Sequence, residues 1–540
     1  MVALPILACV PMFWGLGRWP LLDPDEGRNA EVAREMLGFG SWMVPRLNGL
    51  PFLDKPPMLF WIIAGAFRAF GTNEISARLP AALAGVALVL LTVALTRMLL
   101  GRLAACWAGV ALATAPLALV YARLTIFDMP FTAFVTAALV SLVRTRLGGA
   151  AAVWLPLAGL SMGLAVLTKG PVGVVLPLLA WWCGRGALPP PVQRSRRIVV
   201  LAASALTLTV VLPWLLWVVH AEPDFLRYAV VDETLLRFTS TARFHRGEPV
   251  YYPTAVAVVG MGVWASVLLW TAPMLMRDGG TTPCQRSAIH FAARAAVAIL
   301  VFFSISASKR AGYVLPALVP LALLVGAGIT LAPERALSAL RGAAVIALFV
   351  ALLSLVGQQD ATALADFPKE APPTLVQPLF LITCGVCIVW GAAVLAAGRR
   401  RPALALAAVF APALYLLALD PLMPFAESRS ARRLASALPP NATVVGLRHF
   451  RPSLAFYHRR TMLLATFDGR ELTSNYVSSR PERFLADGRL VTPAHARQLI
   501  RATPSFYVLT GAGRVTQTPR WNLPLVVMAT DQRSALWATR

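Results

Sequence analysis

Long uninterrupted apolar stretches recur along this chain, and that recurrence limits its fold more than any other feature. They lie near residues 3–20, 78–100, 103–121, 130–143, 152–168, 171–183, 198–219, 253–275, 289–306, 312–331, 340–357, 375–397 and 402–419. A helix needs roughly 20 apolar residues to cross the hydrocarbon layer of a bilayer. The runs predict an α-helical polytopic membrane protein with about thirteen spans; several runs are short, so one or two are expected to be tilted, re-entrant or merged. A transmembrane β-barrel is disfavoured, because its strands would alternate apolar and polar residues instead of running continuously apolar. Composition agrees: 58% of residues are hydrophobic and 14% charged, against roughly 45–50% and about 25% in a soluble domain.

The formal charge of +24 has two readings. One is orientation, through the excess of Lys and Arg in cytoplasmic loops; the other is attraction to anionic substrates such as lipid phosphates. Alternate loops carry Arg97 and Arg102, Arg144 and Arg146, Arg185 with Arg194, Arg196 and Arg197, Arg277 and Arg286, Arg335 and Arg341, and Arg399 to Arg401. These share one side, which is read as cytoplasmic. The Leu22–Arg78 loop, the Arg123–Asp128 turn, the 220–252 loop, the Ser306–Arg310 turn and the C-terminal segment then share the outer side. No basic, aromatic-interleaved patch stands apart from the apolar runs, so nucleic acid is not an expected partner. The N-terminus reads as an uncleaved first membrane helix. The six Cys lie mostly in or beside apolar runs and suggest neither a disulfide framework nor a zinc ribbon.

Two segments differ from the rest. Leu22–Arg78 concentrates Asp23, Asp25, Glu26, Arg28, Glu31, Arg34, Glu35, Asp54 and Lys55 in a chain that otherwise avoids charge. Residues 421–540 have no long apolar run but show β-like pieces at Thr443–Leu447, Ser505–Thr510 and Leu525–Met528, which predicts a small soluble α/β domain following a membrane domain at 1–420.

Charged residues in such a chain mark chemistry or anchoring. In Asp23-Pro24-Asp25-Glu26, a helix start accounts for Asp23 as N-cap, Pro24 at the first position and Glu26 as the reciprocal acid of a capping box; Asp25 is the acid left over for a substrate. Asp54-Lys55-Pro56-Pro57 reads either as a surface turn with an ion pair or as an ammonium held rigidly toward a phosphate. Arg123 and Asp128 in YARLTIFDMP read as a snorkelling pair or as a second functional acid. Lys169 in LTKGPVG interrupts an apolar run and needs water or an anion. Lys309, Arg310 and Tyr313 in SASKRAGYVLP read equally as interfacial anchors or as a phosphate grip. The 220–252 loop holds His220 and His245 without metal-ligand spacing.

In order, DPDEGR, DKPP, RLTIFD, LTKGP and SKRAGYVLP resemble the motifs of the bacterial aminoarabinose transferases, GT-C membrane glycosyltransferases related to the protein mannosyltransferases. The resemblance covers roughly residues 1–420. It implies a polyprenyl-phosphate sugar donor, a site at the periplasmic face of the bacterial inner membrane, about thirteen spans, and a monomer among membrane lipids. Carried over by motif, the catalytic acids fall on Asp25 and Asp128, and the donor-phosphate residues on Lys55, Arg28, Lys169, Lys309, Arg310 and Tyr313. The one cofactor raised is a divalent cation such as zinc, on Asp54 and His245; the family motif carries Glu where this chain has Asp54, and the shorter side chain departs from that pattern. The resemblance implies inverting sugar transfer to lipid A or another lipid; the alternatives are a protein O-glycosyltransferase, an oligosaccharide polymerase or ligase of the same build, and a flippase for a lipid-linked sugar. A flippase would place paired charges at mid-membrane in two related halves, and no internal repeat is visible.

Overall fold

The computed structural model describes residues 3–192, 197–236, 248–277, 281–356, 373–398, 402–488, 490–502, 506–512 and 525–539. Among these, seven helices are long and apolar enough to cross a membrane: Glu74–Leu100, Ala151–Lys169, Arg197–Ala221, Pro283–Ile305, Ala311–Leu331, Pro333–Leu355 and Gln377–Ala397. An eighth span forms if Tyr252–Met261 and Val263–Leu275, bent by 108°, count as one. Shorter apolar helices occupy Ala3–Met12, Met58–Phe70, Arg102–Ala113, Val172–Arg185 and Pro402–Ala418.

Proline and glycine explain where the expected runs break. The 3–20 run is not one helix: Ala3–Leu7 is followed by a 3-10 turn at Val10–Met12 that contains Pro11, and Gly15 turns left-handed at φ +67°. Pro116, which has no N–H to donate, separates Arg102–Ala113 from Pro116–Tyr121. The 108° bend falls at Gly262, where φ is +57° and a Cβ would press on the Pro116 ring. Hydroxyls inside the apolar helices are satisfied locally: Thr92, Thr96, Thr132 and Thr136 each donate to the carbonyl four residues back.

The chain divides into two compact units. The first comprises Met1–Trp14, Ala81–Leu215 and Val231–Leu422. It is helical, and its Leu315–Leu331 helix is buried along nearly its whole length. The second gathers Gly15–Pro80, Leu216–Val230 and Met423–Arg540. Where the sequence read Leu22–Arg78 as a loop, this unit has helices at Asp25–Phe39 and Met58–Phe70 and a hairpin of β1 (Arg46–Leu47) and β2 (Leu50–Pro51). Asn48 and Gly49 turn that hairpin at φ +56° and +75°, the signature of an Asn-Gly type I′ turn. The Asn48 amide donates to the Met462 carbonyl and accepts from its N–H, at 2.8 and 2.7 Å, as a strand neighbour would.

The C-terminal strands form one five-stranded sheet: β3 (Thr443–Leu447), β4 (Leu463–Ala465), β5 (Phe506–Gly511), β6 (Leu525–Thr530) and β7 (Ser534–Thr539), in the order β4-β3-β5-β7-β6. β3 runs parallel to β4 and β5, while β7 pairs antiparallel with β5 and β6. The β-like pieces read from sequence fall on β3, β5 and β6.

The second unit buries charge in pairs. Asp23 accepts from Arg451 Nε at 2.7 Å and from the Ser453 N–H and hydroxyl at 2.8 and 2.5 Å. Glu26 accepts from Arg78 at 2.9 and 2.7 Å, and Arg78 also donates to the carbonyls of Leu16, Trp19 and Pro20. The capping-box reading is therefore corrected. The helix begins at Asp25 with Pro24 at its N-cap and no side-chain cap, because a buried carboxylate gains more from a cation and three hydrogen bonds than from one helix-end N–H. Gly27 is required here: a Cβ would overlap the Asp23 carboxylate and the Ser453 backbone.

Glu31 and Glu35, one helical turn apart, are both buried. Glu31 accepts from Arg34 Nε and Nη2, both at 2.7 Å, and Glu35 accepts from the backbone N–H of Asn48 and Gly49 at 2.6 and 2.9 Å. Burial, only partly offset by Arg34, pushes the Glu31 carboxyl up to about 8; burial also raises Glu35 against the pull of the two turn N–H groups. A carboxyl raised from its ordinary 4.5 contributes stability that is complete below about pH 4.5 and lost as pH rises through about 8. The thermal unfolding midpoint of the detergent-extracted protein is expected to fall between pH 5 and pH 9, and Glu31→Gln is expected to flatten that slope. A Glu31→Gln profile as steep as the parent's would remove Glu31 as the cause.

Candidate functional site

The predicted site residues form two groups, one in each unit. In the second unit, Asp25 opens the Asp25–Phe39 helix and pairs with Arg28 three residues on. Its side chain is 41% exposed, in contrast to the buried Asp23, Glu26, Glu31 and Glu35. Arg28 also donates to the Thr473 hydroxyl at 3.1 Å and lies 5.4 Å from the Phe52 ring centre. The next two residues expected at the site, Asp54 and Lys55, precede the Pro56-Pro57 pair that opens the Met58–Phe70 helix. Lys55 Nζ donates to the Asp54 carbonyl at 2.9 Å. The Asp54 carboxylate faces elsewhere: it accepts from the Asn475 and Tyr476 N–H groups at 2.7 and 2.9 Å, from the Tyr228 hydroxyl at 2.8 Å and from the Ser474 hydroxyl at 3.3 Å.

That arrangement bears on a metal. Four donors present positively polarised hydrogens to the Asp54 oxygens, which suits an anion's role as acceptor and opposes a cation in the same place. His245, the other expected ligand, lies outside the described residues. Among the described residues no group of three or more His, Cys, Asp and Glu is arranged to hold a metal. Asp54 as observed does not fit the metal-ligand role, and no step is derived through a metal.

In the first unit, Asp128 begins the Asp128–Arg146 helix and Lys169 ends the Ala151–Lys169 helix. Lys169 Nζ lies 2.5 Å from Asp128 Oδ1, 4.6 Å from the Tyr313 ring centre and 5.2 Å from that of Phe131. A carboxylate and two aromatic faces thus surround one ammonium, a setting that holds a cation at low dielectric. Gly170, at φ +83°, ends the helix and lets Val172–Arg185 begin directly. The alternative in which Arg123 neutralises Asp128 is replaced: Arg123 donates to the Pro11 carbonyl at 2.6 Å and stacks over the Tyr415 ring at 4.5 Å.

The segment around Tyr313 supplies the remaining cations. Lys309 is buried, whereas Arg310 is exposed and holds an extended backbone just before a 3-10 turn at Ala311–Val314. Gly312 in that turn lies so close to Asp128 and Tyr121 that a Cβ would overlap both the carboxylate and the ring. Gly312→Ala is therefore expected to displace Asp128 from Lys169 and to cut activity by about 10²-fold, the typical cost of misplacing a functional group by roughly 1 Å. Gly342→Ala, where a Cβ meets nothing within 4 Å, is the control. Equal activity of the two variants in a transfer assay would count against the role of this contact.

Sequence reasoning missed Thr473, the Ser474–Tyr476 backbone, Tyr228 and the Phe131 face. None sits in a motif with a chemical signature, and each contributes only through contact with a residue far along the chain. Gly312, between the predicted Arg310 and Tyr313, was the one readable signal.

Comparisons with known proteins agree with this architecture. Residues 54–217 match the family model described as dolichyl-phosphate-mannose-protein mannosyltransferase. An undecaprenyl phosphate-alpha-4-amino-4-deoxy-L-arabinose arabinosyl transferase of Pseudomonas aeruginosa is 34% identical over 426 residues, 74% of this chain and 71% of that protein. A transferase of the same name from Edwardsiella ictaluri is 30% identical over 322 residues; that match covers 56% of this chain and 55%, about half, of the relative's own length. The crystal structure of ArnT from Cupriavidus metallidurans bound to undecaprenyl phosphate superimposes with a TM-score of 0.83 at 25% identity, over 99% of this chain and 97% of that one.

Proposed function

Because the chain belongs to the undecaprenyl phosphate-alpha-4-amino-4-deoxy-L-arabinose arabinosyl transferase family, we propose that it is a membrane glycosyltransferase moving a sugar from a polyprenyl-phosphate donor to a lipid acceptor such as lipid A. The reading includes a multi-pass protein of about thirteen spans in the bacterial inner membrane, acting at the periplasmic face, with residues 421–540 on that side. The single observation that carries the chemistry is the Lys169–Asp128 ion pair boxed by Tyr313 and Phe131. A chain with this composition holds an ammonium and a carboxylate together in an apolar setting chiefly where reacting charge must be matched.

In this reading an acceptor oxygen attacks the anomeric carbon of the sugar as the bond from that carbon to the phosphate oxygen breaks. The sugar inverts, and the polyprenyl phosphate leaves with one more negative charge than it carried as the diester. By motif, Lys55 and Arg28 in one unit and Lys169, Lys309 and Arg310 in the other are each candidates to stabilise that growing charge, the largest single contribution such sites make, and Tyr313 holds the Lys169 ammonium. Asp25 orients the acceptor and takes its proton where it is a hydroxyl; a lipid phosphate is already anionic and needs only to be placed. Asp128 is the second catalytic acid of this reading.

The test measures transfer from a polyprenyl-phosphate aminoarabinose donor by purified Asp25→Asn and Lys55→Ala proteins, together with mass spectrometry of lipid A and polyprenyl phosphates with and without the gene. A drop of about 10²-fold or more in each variant is the expected result. Near-normal turnover in both rejects the assignment, and unchanged lipids reject the acceptor class.

A further inference from the structure

We propose that the Thr473–Tyr476 turn of the C-terminal segment is a positioning element of the transfer reaction, holding Arg28 through the Thr473 hydroxyl and the Asp54–Lys55 loop through the Asp54 carboxylate. The inference rests on the functional reading above and adds a role for a segment outside its motifs.

The Asp54 carboxylate is the hub. Two of its donors among the described residues are the backbone N–H groups of Asn475 and Tyr476, so the contact specifies chain position more than side-chain identity. Asp54 also accepts from Lys55 through its own carbonyl. The residue that the turn holds by its carboxylate is therefore the one whose carbonyl holds the Lys55 ammonium. The turn in its place is anchored from behind: the Tyr476 hydroxyl donates to buried Glu222 at 2.9 Å, and Arg483 donates to the same carboxylate at 2.8 Å. The rings of Tyr228 and Tyr476 meet edge to face at 5.1 Å, and Arg480 lies 5.1 Å from the centre of the Tyr476 ring.

Thr473 shows that the turn is held against its local preference. Its φ is +55°, a region a β-branched residue avoids. Strained backbone of this kind persists where the surrounding structure dictates it, and it concentrates at functional sites. The hydroxyl of that residue accepts from Arg28, the partner of Asp25. One short turn thus reaches both motif segments of this unit, DPDEGR and DKPP.

Two variants separate positioning from a purely structural role. Thr473→Gly relieves the backbone while deleting the hydroxyl; its unfolding midpoint in detergent is expected to equal or exceed the parent's while kcat falls about 10-fold. Asp54→Asn keeps the size of the side chain but turns an amide toward the backbone N–H groups, and kcat is expected to fall about 10²-fold. The same Asp54→Asn change made in a Lys55→Ala background is expected to cost less than about 3-fold further, because residues acting as a unit are not additive. Full additivity of Asp54→Asn with Lys55→Ala, or a Thr473→Gly protein with parental kcat, overturns the proposal. Activity lost to a chelator and restored by zinc overturns it in favour of a metal-ligand role for Asp54. The unaltered protein is assayed alongside: if it transfers no sugar, the functional reading fails, whereas a working parent with unaffected variants fails this inference alone.

Discussion

Lys169→Met is expected to lower the rate of sugar transfer by about 10²- to 10³-fold, the range seen when one electrostatic stabiliser is removed from a preorganised site. The substitution leaves a side chain of similar length against the Phe131 and Tyr313 faces and deletes the charge 2.5 Å from Asp128. Two effects then act together. In the proposed mechanism, the leaving phosphate loses a cation at the step where its charge grows. The Asp128 carboxylate, 16% exposed, loses its neutralising partner, and breaking one side of a buried pair costs about 3–5 kcal/mol. Lys169→Arg is expected to recover little, since a planar guanidinium does not fill the place of a compact ammonium between two rings. Kinetics at saturating donor distinguish the contributions: a fall in kcat at unchanged KM points to charge stabilisation in the transition state. Transfer within about threefold of the parent's would refute both effects at once.

Arg451→Leu is expected to destabilise the second unit by about 3–5 kcal/mol. Arg451 and Asp23 are each 5% exposed at the side chain and 2.7 Å apart, so removing the guanidinium strands a carboxylate away from water. Arg451 also donates to the Ser534 hydroxyl at 3.0 Å and lies 3.4 Å from Asp531, and both contacts go with it. Because Asp23 directly precedes Pro24 and Asp25, the start of the Asp25–Phe39 helix is expected to loosen first. Protease susceptibility near residue 23, read alongside the unfolding midpoint in detergent, reports this. Adding Asp23→Asn to Arg451→Leu is expected to restore part of the loss, since the residual carboxylate is then neutral. A single Arg451→Leu variant as stable as the parent would show that the pair is dispensable.

Much of the candidate site was legible because the chain is apolar. In such a background Asp25, Lys55, Asp128, Lys169 and Arg310 stand out, and DPDEGR, DKPP and LTKGP keep their chemistry within a few residues. What could not be read was which partner each charge takes. Arg123 is the nearer cation to Asp128 along the chain, yet Lys169, 41 residues away, is the one bound to it. Asp23 fits the local rule for a helix cap, yet it pairs with Arg451, 428 residues away. Asp54 reads from its neighbours as part of a surface ion pair, yet its carboxylate accepts from the Ser474 hydroxyl and from the backbone N–H groups of Asn475 and Tyr476.

The sequence by itself determined that this protein is helical and membrane-embedded, where its apolar runs lie, that its C-terminal segment is built on strands, and which few charged residues are available for chemistry. These follow from runs and periodicities only a few residues long, and nothing distant changes them. The tertiary structure alone decided that Leu22–Arg78 and residues 423–540 belong to one compact unit, that the first apolar run breaks into short turns, and which cation neutralises which acid. Such pairings are settled by the cost of burying an unmatched charge, which is levied across space, and spacing along the chain carries no record of it.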